Sequence, residues 1–363
     1  MIQLRPSSAF KWGNCALNPR FEELAGPEET TDAAREGTCA AWVAECVLRG
    51  DAYSAEDLVG RNHSNGWLVT MDMAYYVQKY INHVRSRGGV ISAEQRVIIC
   101  AFIQGTLDSS SVTFTGDTLY VDDLKFGMEP VDVFENPQLI LYGGGEYLRL
   151  GRPVNIRKVR LGIFQPRAFH HEGPYRYWEL SIPDLMTELQ KLIEAGQRVQ
   201  EPGALATPGP WCRRCTGAKG CEALTHSSYR LYEFISKSAN YRELTDEEIA
   251  AELDAIDLMS KLIKARRAAL EPDAESRLRS RGLRGYILKD RKGNRAFKYS
   301  AGVIKAMTGI DPAEDSLCTP AELERRGARP DIVEFLSHRP NLPKKMERLT
   351  DKEMRRIMDK KDK

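Results

Sequence analysis

The stretch GTLDSSSVTFTGDTLYVDDLKFG, residues 105–127, constrains the fold more than any other part of the chain. Apolar and polar residues alternate on both sides of Gly116-Asp117, the pattern of antiparallel strands joined by a tight turn. The later strand carries Asp122, Asp123 and Lys125, and Asp108 ends the apolar segment before it. Side chains alternate across a strand, so Val121, Asp123 and Lys125 share one face, while Tyr120, Asp122 and Leu124 share the other. Ionised groups are almost never buried without a partner, a metal or a chemical task. Two carboxylates held together repel, and the usual remedy is a hard divalent cation with oxygen ligands. A lysine beside such an ion can orient water and stabilise charge growing on phosphate oxygens. A lone D-x-K triplet is far more often the surface ion pair of an edge strand, so the neighbouring segments decide its meaning.

Those segments describe an α/β core. Helices are expected over 32–49, capped by Thr31 or Asp32, and over 71–87, ending at Gly88-Gly89. Another begins at Asn136-Pro137, cap followed by first-turn proline, and a fourth covers 183–200. Strands are expected over 96–108, 110–126 and 155–167. A Pro/Gly-rich stretch at 201–210 precedes a cysteine-rich segment at 212–221. Residues 245–282 form a long amphipathic helical stretch, acidic at its start and basic at its end, as a helix dipole prefers. A hairpin is expected within 284–299, then short helices and a basic tail whose last twenty residues are expected to be disordered. The regions are 1–228, 229–282 and 283–363, with the main boundary near residue 229.

A chain of 363 residues buries a core without staples. Its net charge of +2 neither demands nor excludes nucleic acid. Charge is uneven, however: between Lys261 and Ser300 there are thirteen Lys or Arg against four Asp or Glu. Arg277, Arg279, Arg281, Arg284, Arg291 and Lys292 are therefore candidates for tracking a DNA backbone, the alternative being a solvated surface. There is no apolar run of membrane length and no secretory signal pattern, so a cytoplasmic protein with reduced thiols is expected. Of eight cysteines, Cys212, Cys215 and Cys221 are spaced C-x2-C-x5-C, an incomplete four-ligand set for which Cys15 is the distant fourth candidate. Thiolate count does not separate an iron–sulfur cluster from zinc. Cys39, Cys46, Cys100 and Cys318 lack ligand spacing and read as small core residues. His170-His171 reads as an exposed polar loop, and no phosphate loop or helicase motif is present.

In order, GTLD, LYVDDLKFG and NPQLILYG resemble the core of the RecB-type branch of the PD-(D/E)xK nucleases, most closely the phage-encoded RecB-like exonucleases. The resemblance spans residues 8–225 and implies a restriction-endonuclease-like core, a central mixed sheet flanked by helices, followed by a basic helical extension. It makes Asp108 and Asp123 the metal carboxylates, Lys125 the catalytic lysine and the Leu124 carbonyl a further ligand, with Mg²⁺ or Mn²⁺ as cofactor. Gln138 and Tyr142 match a Q-x-x-x-Y motif that lines the DNA side; four apart, they share a helix face. In GTCAAWVAE, Gly37 and Glu45 match a helix motif contributing Glu45 to the site, but Ala41 stands where the family has histidine. One cysteine before the core and three after it resemble the [4Fe-4S] arrangement of the AddB and CRISPR-associated RecB-like groups, with zinc as the alternative. The implied activity is a metal-dependent DNA exonuclease hydrolysing phosphodiesters by metal-activated water, for end resection in phage recombination beside a single-strand annealing protein. The alternatives are a structure-specific endonuclease and a DNA-binding scaffold whose catalysis has lapsed.

Overall fold

The strands around Gly116 form the middle of a five-stranded mixed sheet in the computed structural model, which describes residues 1–25, 31–237, 245–292, 296–297, 301–312, 318–339 and 341–348. Short helices α1 (Ala9–Trp12) and α2 (Asn18–Ala25) lead to α3 (Asp32–Arg49) and α4 (Met71–Ser86). Strands β1 (Val90–Cys100), β2 (Ile103–Val112) and β3 (Thr118–Leu124) follow, then α5 (Pro137–Arg149), β4 (Lys158–Phe164), β5 (Tyr175–Ser181) and α6 (Ile182–Gln200). Local chemistry sets these starts: Thr31 Oγ1 accepts from Ala34 N, and Asn136 Oδ1 accepts from Gln138 N and Leu139 N ahead of Pro137.

The sheet order is β1-β2-β3-β4-β5, antiparallel except for the parallel pair β3/β4. That parallel step requires a crossover, and α5 supplies it. One face packs on α5 and α6 through Val97, Leu107, Val121, Leu141, Leu161 and Leu185. The other packs on α3 and α4 through Val43, Val77, Tyr80, Ile81, Leu124 and Phe164. A separate small core gathers Cys212, Cys221 and Leu224 with Leu262 and Ala265.

Three expectations need correction. Residues 96–108 are not one strand: the chain turns at Ala101-Phe102, so β1 and β2 form a hairpin with Cys100 paired to Ile103. Tyr175–Ser181, left unassigned from sequence, is the edge strand beside β4, with Arg176 buried and Tyr177 exposed. The compact unit that begins at Met1 runs to Ala269, past the boundary expected near 229. Helix α7 (Glu222–Lys237) and the first part of α8 (Asp246–Ser280) belong to it, because Leu262 and Ala265 of α8 complete the cysteine-lined core.

The second unit, 270–363, contains β6 (Tyr286–Lys292), β7 (Ala296–Phe297), α9 (Ala301–Thr308), α10 (Pro320–Arg325), α11 (Pro330–Leu336), β8 (Ser337–His338) and β9 (Asn341–Arg348). The hairpin expected within 284–299 does not form between β6 and β7; β6 pairs with β9 and β7 with β8. Part of the tail expected to be disordered is thus strand β9, and residues 349–363 lie outside the described ones. A core of Ile304, Cys318, Leu323, Val333 and Leu336 holds this unit.

Candidate active site

The two faces of β3 separate its neighbouring aspartates. Asp123 faces α5 and is 2% exposed. Its Oδ2 lies 2.8 Å from Lys125 Nζ, and its Oδ1 accepts from Gln138 Nε2 at 2.9 Å. Lys125 Nζ in turn donates to Gln138 Oε1 at 3.0 Å, closing a three-membered ring of side chains. Gln138 Nε2 also reaches the Tyr142 hydroxyl at 3.4 Å, one helical turn on. Asp108, on β2, accepts at Oδ2 from the backbone N–H of Leu124 at 2.7 Å, which pins it to the end of β3 between Asp123 and Lys125. The expected neighbours Asp108, Asp123, Lys125, Gln138 and Tyr142 therefore lie together.

Asp122 points the other way and pairs with Arg87, whose Nη2 donates to Oδ1 at 3.1 Å. Arg87 stacks over Tyr120 and Tyr175, and His83 contacts Arg87 and packs against the rings of Phe164 and Tyr175. This network holds β3 from behind.

Electrostatics mark the α5 side as short of positive charge. Burial, then the charge of Asp123, holds the Asp108 carboxyl well above the ordinary carboxylate range. Burial pulls the Lys125 ammonium down, but Asp123 outweighs it, and its pKa ends above the ordinary lysine value. Lys125 is thus a fixed cation.

A fourth carboxylate emerges that the sequence reading omits. Glu94 lies between the register pairs Ala93↔Ser109 and Gln95↔Leu107, across from Asp108. Burial, then Glu45 and Asp123, push its carboxyl up to about 7. Its φ of 49° is left-handed within a strand, a conformation costing about 1–3 kcal/mol at a non-glycine residue and concentrated at functional sites. The two-residue turn at Ala101-Phe102 alone would set Glu94 opposite Ser109; the register shift between Ile98 and Cys100 moves it opposite Asp108, and the sequence carries no signal for that shift. Glu45 on α3 approaches the same group, and it pairs with Arg49 at 2.7 Å. Arg49 Nη2 also donates to the carbonyls of Ala93 and Glu94, each at 3.3 Å, tying α3 to that bend.

The cysteine-rich segment is wound in two short 3-10 turns, Pro210–Arg214 and Thr216–Lys219. It faces the chain around residue 15 across a cavity lined by Cys15, Asn18, Phe21, Cys212, Cys215 and Cys221. Burial first, and the other three thiols in part, push the Cys212 thiol up to about 11. The remaining candidates scatter. In the second unit Arg277 and Arg279 form four-apart pairs with Asp273 and Glu275. Arg281 and Arg284 are exposed, and the side chains of Arg291 and Lys292 fall outside the described ones. His170, His171 and Glu172 bring ligand atoms within 4.8 Å on the β4–β5 loop, but Glu172 N already donates to His170 Nδ1 at 3.2 Å.

Fold and site together define an α/β protein with a central sheet flanked by helices and a carboxylate–lysine centre at the end of its parallel strand pair. The chain belongs to the family described as Protein of unknown function (DUF2800), which matches residues 2–356. It is also similar to a crystal structure from Eubacterium rectale, described provisionally as an exonuclease, at 9% identity and a TM-score of 0.33, covering 69% of this chain and 93% of that one. Among the described residues no helix is long and apolar enough to cross a membrane.

Proposed function

We propose that the chain is a metal-dependent deoxyribonuclease of PD-(D/E)xK type that degrades DNA from its ends. The observation carrying this reading is the closed Asp123–Lys125–Gln138 ring with Asp108 bonded to the same strand end. The donor set fits a hard divalent cation: Asp123 Oδ2 is buried and, despite the nearby ammonium, accepts no aligned hydrogen bond. Burial, and after it the neighbouring carboxylates, raises Asp108 and Glu94, and a cation would offset both. Asp108, Asp123, Glu45 and the Leu124 carbonyl would hold it. When bound, Mg²⁺ or Mn²⁺ would activate water and neutralise charge on the scissile phosphate.

The chain's own residues do the rest. Lys125 keeps its proton at Nζ and presents a fixed positive charge where phosphate oxygens gain negative charge. Gln138 binds both Lys125 and Asp123, so neither rotamer is free to drift. Tyr142, kept protonated by burial and by Asp123, offers a neutral hydroxyl on the same helix face. The test is digestion of end-labelled linear DNA, single- and double-stranded, with Mg²⁺, Mn²⁺ or a chelator, beside covalently closed circles. Progressive loss from ends with circles intact is expected; cleaved circles would make it an endonuclease, and no cleavage with either ion would end the nuclease reading. Following the phage-type resemblance, we extend the reading to end resection for recombination, with a single-strand annealing protein as partner.

The four cysteines fit a thiolate-bound cofactor. Gly209 N donates to Cys212 Sγ at 3.3 Å and Leu224 N to Cys221 Sγ at 3.5 Å, the kind of hydrogen bonding that steadies ligating sulfur. Burial makes a bare Cys212 thiolate unfavourable, and a bound metal would supply the compensating charge. The [4Fe-4S] reading is preferred to zinc on the arrangement of the cysteines, one before the sheet-bearing region and three after it.

A further inference from the structure

Asn18 opens α2, and its backbone N–H donates to the Cys15 carbonyl at 3.1 Å. One turn of chain thus presents the Cys15 sulfur and the Asn18 amide to the same cavity. The side chain is buried, with the residue 1% exposed. Its Nδ2 donates to Cys215 Sγ at 3.3 Å, nearly two hundred residues away in sequence. Its Oδ1 is buried and has no partner.

An amide removed from water that satisfies only one end is poorly placed unless the bond it makes is a strong one. A neutral thiol is a weak acceptor, whereas a hydrogen bond to an ionised acceptor is roughly twice as strong as a neutral one. The same contact therefore makes physical sense once Cys215 is a metal-bound thiolate. It also settles which end of the amide faces the sulfur, since an oxygen there would repel it.

We infer that Asn18 is a positioning residue for the cysteine centre, donating its side-chain N–H to the Cys215 ligand and thereby setting the reduction potential of the cluster. The inference rests on the cluster reading above. A hydrogen bond to a ligating sulfur withdraws electron density and favours the reduced, more negative cluster. Removing the donor lowers the midpoint potential. Reversing its polarity lowers it further and loosens the metal.

The test uses the full chain, reconstituted anaerobically with iron and sulfide, and reads the midpoint potential by titration followed in visible absorbance. Asn18→Leu keeps similar volume without a donor and is expected to retain the chromophore at a lower midpoint. Asn18→Asp keeps the shape and puts a carboxylate against the sulfur; a still lower midpoint and severalfold faster loss of iron to a chelator are expected. A measurement on the unmutated protein guards against misfolded variants: with ¹⁵N-labelled asparagine, the reduced cluster should show a hyperfine coupling to side-chain nitrogen. An unchanged midpoint in Asn18→Leu, or no such coupling, overturns the inference and leaves the cluster reading standing. Zinc, or no metal, in the unmutated protein overturns both.

Discussion

Asp122 and Asp123 are chemically identical neighbours, yet their removal should fail in different assays. Asp108→Ala, Asp123→Ala and Lys125→Ala should each lower DNA cleavage by at least about 100-fold while DNA binding persists, the size of loss seen when groups that stabilise the transition state are removed. Asp122 makes no contact with that side. Its alternation in the strand predicts that Asp122→Ala retains activity, and the structure adds what alternation does not show: the carboxylate neutralises Arg87. Leaving a buried charge unpaired costs about 3–5 kcal/mol. Asp122→Ala should therefore unfold at markedly lower urea concentration, with cleavage per folded molecule nearly intact. Folded protein with wild-type stability and no cleavage would show that the faces of β3 are assigned wrongly. Glu94→Gln keeps the volume and removes the charge, and it should weaken Mn²⁺ binding severalfold in calorimetry if Glu94 shares the cation with Asp108. Pairwise spacing within one strand was legible in the sequence for Asp123 and Lys125. Glu94 was not, because its place depends on hairpin register, and that register is set by a turn and by a shift between Ile98 and Cys100, both concealed within an apolar run.

Helix α5 carries three consecutive glycines, which propensity alone counts against a helix. Packing explains them. A Cβ on Gly145 would lie 2.9 Å from Val97 Cβ, and one on Gly144 would lie 2.9 and 3.1 Å from Leu189 Cδ1 and Cγ. The glycines let α5 approach both the sheet and α6, which sets Gln138 at Asp123. Gly→Ala in a free helix gains about 1 kcal/mol, whereas overpacking against a β-branched carbon near the backbone costs about 1–3 kcal/mol. Gly145→Ala should thus destabilise on balance, measured by chemical denaturation; a gain in stability would mean that α5 sits further from β1. Helix α4 makes a pH prediction. Burial, then Arg87, lowers His83 from 6.5 to about 4. The unfolded chain then binds the extra proton, so this contribution to stability is full above pH 6.5 and is lost as pH falls toward 4. Stability should decline over that interval, and His83→Gln should flatten the decline; parallel curves for the two proteins would refute the assignment. Caps at Thr31 and Asn136 made α3 and α5 legible, since a cap is a local signal. Strand β5 and the β6/β9 pairing were not, because an edge strand mixing aromatic and charged residues, and partners 49 to 62 positions away, leave no local mark.

Across the first unit, the segment around Cys15 and the segment from Cys212 to Cys221 close around one cavity, so a shared cofactor would join the two ends of the sheet-bearing region. In the chain-entropy relation for crosslinks, a closed loop of about 200 residues restricts the unfolded chain by about 5 kcal/mol. That exceeds the effect of most single substitutions and is a large part of the stability of an ordinary domain. The cysteine-lined core shares no buried residue with the core that carries Asp108 and Asp123, so the two contributions can be separated. Replacing Cys15 should release the metal as completely as replacing Cys215, even though Cys15 lies far from the other three in sequence. Both variants should melt at a clearly lower temperature than the loaded protein, and the stripped wild-type protein should melt close to them. At low temperature, where the variants are still folded, cleavage per folded molecule should change by less than about tenfold, because Lys125 and Gln138 keep their partners. If Cys15→Ala retains full metal content and its melting temperature, Cys15 is not a ligand, the long loop is not closed by metal, and the cavity is an ordinary thiol-rich core. If it loses metal and also loses cleavage in protein that circular dichroism shows to be folded, the two centres are coupled, and the cysteines serve the chemistry as well as the fold.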